Sequence, residues 1–213
     1  MPKTKAQVDT ARVGDRQQQL LEQLEKIFLA EGFRDLTGDE LAARLKCSKR
    51  SLYQIAPSKQ ELFLLVLEQF LERIRRKGNR GVLEHEDPEK RLAAYMEPGI
   101  VETRLASRRF VEDVESLRPA ALLLESHQKE RINTLRDIVE DGIRRGRFRK
   151  LNAGLVAETY LAGIERIDDP AFLRRNGLSF SEAFAELFQI IAFGVYRSDA
   201  AANEGAPTAS RKR

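Results

Sequence analysis

The chain has little of several residues that commonly organise a protein. Cys47 is the single cysteine among 213 residues, so no disulfide can form within the chain, and a reducing, cytoplasmic setting is expected. There are two histidines, His85 and His127, and neither has a Cys or His at ligand spacing; Glu84-His-Glu-Asp87 reads as a linker before a proline-started helix, and no metal is expected. Glycine (13) and proline (7) are few and strand-type alternation is scarce, which points to an all-α chain. No apolar run approaches the roughly 20 residues that span a bilayer, and Met1–Arg16 has no apolar signal core, so no membrane partner is expected. Phosphate-binding glycine loops and nucleophile elbows are missing as well. Neither an enzyme nor a bound cofactor is therefore expected, although a helical enzyme without motifs and a helical dimeric adaptor stay open as alternatives.

What the chain does have is charge, unevenly placed. Basic residues number 37 against 33 acidic, a net charge of +4, yet the window from Arg44 to Lys59 holds Arg44, Lys46, Lys49, Arg50 and Lys59 with no acid at all. Apolar residues make up 42% of the chain, which suits a globular protein, and charged residues make up 33%, which suits amphipathic helices with solvated faces.

Capping signals divide the chain. Residues 1–13 read as a flexible basic arm. A first helix is expected from about Gly14, with Leu20, Leu24, Ile27 and Phe28 on one stripe, ending at Gly32. Thr37-Gly-Asp-Glu40 has capping-box spacing and opens a helix over 38–45; Ser48 caps another over 49–55, which Ala56-Pro57 breaks. Ser58-Lys-Gln-Glu61 repeats the box and starts a long helix, expected to exit at Lys77-Gly-Asn-Arg-Gly81. Further helices are expected from Pro88, from Pro98, from Ser107, over 119–145, over 153–167 after Asn152, and from Ser179 to about Tyr196, with Asp168-Asp169-Pro170 as a stop. Residues 198–213 read as a disordered tail.

Two short helices joined by Lys46-Cys-Ser48 form a helix-turn-helix, whose second helix can enter the major groove of double-stranded DNA. Arg50 and Lys49 suit guanine edges and Gln54 suits adenine. Ser48, Ser51 and Tyr53 offer hydroxyls to phosphates, Arg44, Lys46 and Lys59 offer phosphate clamps, and Thr37 stands at a helix start as Lys59 does. Each of these is, taken alone, also an ordinary surface charge, cap or core aromatic.

Residues from about 17 to 67 resemble the DNA-binding domain of the tetracycline-repressor (TetR) family. The likeness lies in Ile27-Phe-Leu-Ala-Glu-Gly-Phe33, Leu36-Thr-Gly-Asp-Glu-Leu-Ala42, Ser48-Lys-Arg-Ser-Leu-Tyr53 and Ser58-Lys-Gln-Glu-Leu62. The chain departs from the family pattern at Lys46 and Arg50, where glycine is usual, and at Ala56, where an aromatic is usual. The resemblance implies a helix-turn-helix domain (14–60) joined by a long helix to a larger helical ligand-binding and dimerisation domain (61–197). It also implies a bacterial, nucleoid-associated repressor that binds a palindromic operator as a homodimer and is released by a small-molecule effector.

For the remainder, Tyr95, Met96, Phe110, Val114 and Ile132 are candidate pocket residues, each equally well explained as core. The last helix carries apolar stripes on two sides, which points to burial against another subunit as well as the core. Paired with the helix over 153–167 it suits a four-helix dimer contact, with Val156, Tyr160, Phe184, Leu187, Ile191 and Val195 as candidate interface residues.

Overall fold

A computed structural model describes residues 5–196; Met1–Thr4 and the expected tail at 198–213 lie outside the described residues. The described part is all-α: α1 (Lys5–Glu31), α2 (Gly38–Arg44), α3 (Lys49–Tyr53), α4 (Lys59–Glu84), α5 (Pro88–Glu102), α6 (Arg108–Ser116), α7 (Arg118–Arg144), α8 (Ala153–Ile167), α9 (Pro170–Asn176) and α10 (Phe180–Val195). The caps read from the sequence operate. Thr37 and Ser179 form complete capping boxes, and Ser48, Ser107 and Asn152 each accept from the backbone N–H three residues on. Ser58 makes half a box: its Oγ accepts from Glu61 N, while the Glu61 carboxylate takes the Ser58 hydroxyl instead of the backbone N–H.

Four boundaries differ from expectation. α1 begins at Lys5, not near Gly14. No proline interrupts this stretch, and one interior glycine costs only about 1 kcal/mol relative to alanine. α4 continues through Gly78 and Gly81 to Glu84, because these glycines serve packing rather than chain exit. A Cβ on Gly78 would lie 3.0 Å from the Tyr95 carbonyl oxygen, and one on Gly81 would lie 2.9 Å from that of Ala94. α5 runs straight through Pro98. Proline at 98 leaves the Ala94 carbonyl without its helical donor, and that carbonyl is the one Gly81 allows to approach α4. Finally, Asp169-Pro170 not only stops α8 but caps α9, which ends at Gly177 in the left-handed region.

The buried side chains form two clusters. The first joins α1–α4 through Leu24, Phe28, Leu41, Leu52 and Phe63 and is closed from the far side by Phe110, Val114 and Ala120. Phe110 lies edge-on to both Phe63 and Phe70. The second joins α5, α7, α8 and α10 around Leu92, Tyr95, Leu135, Val139 and Ile164.

One buried carboxylate ties the two parts together. Asp113 on α6 accepts from Phe33 N at 2.6 Å and pairs with Arg34 Nε at 3.3 Å. It thereby fixes the turn between α1 and α2. Gly32 in that turn has φ +74°, and a Cβ there would sit 2.5 Å from the Asp113 carboxylate, so both backbone and space require glycine. Beside it, the N–H of Ser107 donates to the Leu29 carbonyl at 2.7 Å.

Candidate nucleic-acid interface and interior cavity

The turn between α2 and α3 closes as a Schellman motif. Lys46 N donates to Ala43 O and Cys47 N donates to Ala42 O, which places Lys46 in the left-handed region at φ 50°. A side chain in this conformation costs about 1 kcal/mol. Lys46→Gly is therefore expected to raise the melting temperature by about 2–4 °C in scanning calorimetry, and to lower the salt slope of DNA binding by about one through loss of a cation. No change, or a fall, in melting temperature would show that the turn carries no such strain. Cys47 is half-buried, and burial pushes its thiol up, which makes it a packed thiol rather than a thiolate.

α3 is anchored by Leu52, which is fully buried, and by Ala56 beneath its end. The Tyr53 hydroxyl rests where a Gly38 Cβ would be, so the first residue of α2 has to be small for α3 to seat. With that side fixed, Lys46, Ser48, Lys49, Arg50 and Gln54 are exposed around the start and outer face of α3. Lys49 Nζ forms an ion pair with Asp39 at 2.9 Å, and that hydrogen bond raises its affinity for the proton. Arg50 has no ion-pair partner among the described residues. Ser51 is half-buried and shares a 2.7 Å hydroxyl contact with Ser48. Arg44 pairs with Glu31 at 2.7 Å. Thr37 is occupied as a cap: its hydroxyl accepts from Glu40 N, while its backbone N–H and its hydroxyl both donate to the Glu40 carboxylate and hold it below the usual range.

Lys59 is different from its expected role as a phosphate clamp. Its Nζ donates to the Arg34 carbonyl at 2.7 Å and the Leu36 carbonyl at 2.6 Å, and it lies 5.4 Å from the centre of the Phe33 ring. The ammonium braces the loop before α2 instead of facing outward, because two carbonyls left free by that loop lie within its reach.

A cavity of about 500 Å³ opens between α4, α6, α7, α8 and α10. Phe110, Val114 and Ile132 stand on its wall; Tyr95 and Met96 do not, being packed in the second cluster. Sequence reasoning assigned none of its polar groups to a cavity; the more buried ones include His127, Gln128, Arg131, Tyr160 and Asp168, and the exposed Glu115, Glu125, Lys129 and Glu165 line it as well. Burial and the nearby Arg131 and Arg75 hold His127 down at about 3, so it is neutral near pH 7. Burial raises Asp168 to about 6 despite a 2.7 Å hydrogen bond from Gln128. Arg131 and Tyr95 hold each other: the Tyr95 hydroxyl donates to the Arg131 carbonyl, Arg131 Nη2 donates to the Tyr95 carbonyl, and the guanidinium lies 4.4 Å from the Tyr95 ring centre.

The candidate interface residues require correction. Tyr160, Phe184, Ile191 and Val195 are buried inside the chain, and Leu187 and Val156 are half-buried, with Leu187 packed on Gly163. Their stripe faces the core. The apolar groups left outside on α8 and α10 are Leu155, Ile190 and Phe193, exposed by 67%, 70% and 75%. No single helix among the described residues is long and apolar enough to cross a membrane.

Residues 20–66 match the model of the bacterial regulatory proteins of the tetR family. The uncharacterized HTH-type transcriptional regulator YvaF of Bacillus subtilis (strain 168) is 24% identical over 185 residues, covering 81% of this chain and 95% of YvaF. Among solved structures, a protein from Saccharomonospora viridis in complex with choline has a TM-score of 0.70 at 15% identity, covering 87% of this chain and all of that one. AibR in complex with isovaleryl coenzyme A and operator DNA has a TM-score of 0.57 at 16% identity, covering 82% and 97%.

Proposed function

We propose that the chain is a DNA-binding transcriptional regulator of the tetR family, a reading supported by the match at residues 20–66 and the likeness to YvaF, and that it works as a homodimeric repressor. It binds a palindromic operator and leaves it when a small molecule fills the interior cavity. The observation that carries this reading is the seating of α3: Leu52 is fully buried on one side while Lys49, Arg50 and Gln54 are exposed on the other. That is the arrangement a recognition helix needs in the major groove. In this reading residues 14–60 bind DNA and residues 61–197 bind the ligand and the second subunit.

The release step follows from the shared wall. Phe110 and Val114 belong both to the cavity and to the first cluster, and Asp113 between them holds the α1–α2 turn. A ligand that shifts α6 therefore acts on the helix-turn-helix through packed atoms, provided it binds one arrangement better than the other. AibR, of the same fold, is found in complex with isovaleryl coenzyme A and operator DNA, so this architecture can accommodate both a small molecule and a duplex. Selection of bound duplexes from a random pool is expected to enrich one inverted repeat, with affinity falling steeply as salt rises. Absence of any enriched repeat would overturn the reading.

A further inference from the structure

We infer that the cavity takes a ligand with an apolar body and a single carboxylate, held by Arg131 and Tyr160. This rests on the reading of the cavity as the effector site. Both residues line it, at 7% and 4% exposure, and each has a buried polar atom with no hydrogen-bond partner: Nη1 of Arg131 and the Tyr160 hydroxyl. A guanidinium cannot relieve its burial by losing a proton, and no carboxylate among the described residues pairs with Arg131. Its guanidinium donates to one carbonyl, lies on one aromatic face and packs against Gly78, where a Cβ would sit 3.3 Å from Nη1. A buried charge is ordinarily paired, so the chain holds a buried cation beside the cavity that lacks its anion. The Tyr160 phenol is a second donor under the influence of the same guanidinium, and burial keeps it protonated.

The other groups narrow the class. Leu71, Ile74, Phe110, Ile132 and Phe184 supply an apolar wall, and about 500 Å³ suits a small organic body. At the acidic side, Glu115 and Glu165 add negative charge around Asp168. Glu125 lines the cavity as well, with Lys129 as its other cation; the acidic surround opposes a polyanion such as a phosphate ester more than a monoanion, and Arg131 is the buried cation that can offset one negative charge. A carboxylate is planar and accepts from a guanidinium and a phenol together.

Calorimetric titration of the full chain tests this with decanoate, decan-1-ol and decyltrimethylammonium, and with 4-phenylbutanoate and its alcohol as a second body shape. At least one carboxylate is expected to bind about 10-fold or more tighter than its alcohol, and the ammonium is expected to bind most weakly. Tyr160→Phe is expected to weaken carboxylate binding about 10-fold, to weaken alcohol binding distinctly less because the hydrogen bond to a neutral acceptor is weaker, and to keep or raise the melting temperature of the ligand-free protein, since its hydroxyl has no partner to lose. Arg131→Met is expected to abolish the preference for the carboxylate; where that variant does not fold, Tyr160→Phe decides alone. Preference for the ammonium, failure of both carboxylates to bind, or an unchanged carboxylate-to-alcohol ratio in Tyr160→Phe would overturn the inference. DNA binding by the same ligand-free preparation separates the two claims. If operator binding is intact and no carboxylate binds, the ligand class fails; if operator binding is missing, the regulator reading fails.

Discussion

Lys49→Ala combined with Arg50→Ala is expected to lower operator affinity by about 100-fold or more while leaving the fold intact. Good contacts to base edges contribute about 1–3 kcal/mol each, and removal of two cations should reduce the slope of log affinity against log salt by about two. Both side chains are exposed, and the Lys49–Asp39 pair is an exposed ion pair of the kind that contributes little to stability. The melting temperature should therefore stay within a degree or two, which separates a lost contact from a lost domain. Lys59→Ala should behave in the opposite way. Its ammonium is bonded to the Arg34 and Leu36 carbonyls, so the melting temperature should fall and the salt slope should stay. Binding isotherms at several salt concentrations, with calorimetry on the same variants, check both. If the double variant bound the operator as well as the parent chain, α3 would not be the reading helix.

The contrast between Lys49 and Lys59 shows which information the sequence carries locally. Helix caps act over three residues, so Thr37, Ser48, Ser58, Asn152 and Ser179 could be read directly, and with them the short helices and the turn that set α3. The role of Lys59 depends on carbonyls more than 20 residues away, and no local pattern marks them. Asp113 lies 80 residues from the backbone N–H that it caps, and in the sequence it is one acid among 33. Gly78 and Gly81 look like chain breakers when only their own helix is considered; the facing carbonyls of α5 make them packing residues. Lys46 was the informative exception. Its place at a position where glycine is usual matched a left-handed backbone in the fold. The cavity polar groups escaped notice because a buried Arg or Tyr has the same letter as an exposed one.

The α10 stripes were ambiguous for a related reason. Periodicity reports that two faces are apolar but not which of them the chain covers itself. The fold covers Phe184, Ile191 and Val195 and leaves Ile190 and Phe193 outside, with Leu155 of α8 also exposed. Full burial of a large apolar side chain contributes about 1.5–3 kcal/mol. Across a twofold axis each residue counts twice, because the same patch meets its copy. Ile190→Asp with Phe193→Asp removes four such burials from a symmetric contact and sets like charges against one another. The dimer dissociation constant is then expected to rise by about 1000-fold or more. Sedimentation at micromolar concentration should show a monomer, and operator affinity should fall because the half-sites are no longer bound together. The monomer should keep its helical content, since both side chains project away from the core, whereas Phe184→Asp should unfold the chain. A dimer that persists in the double aspartate variant would place the subunit contact on another face.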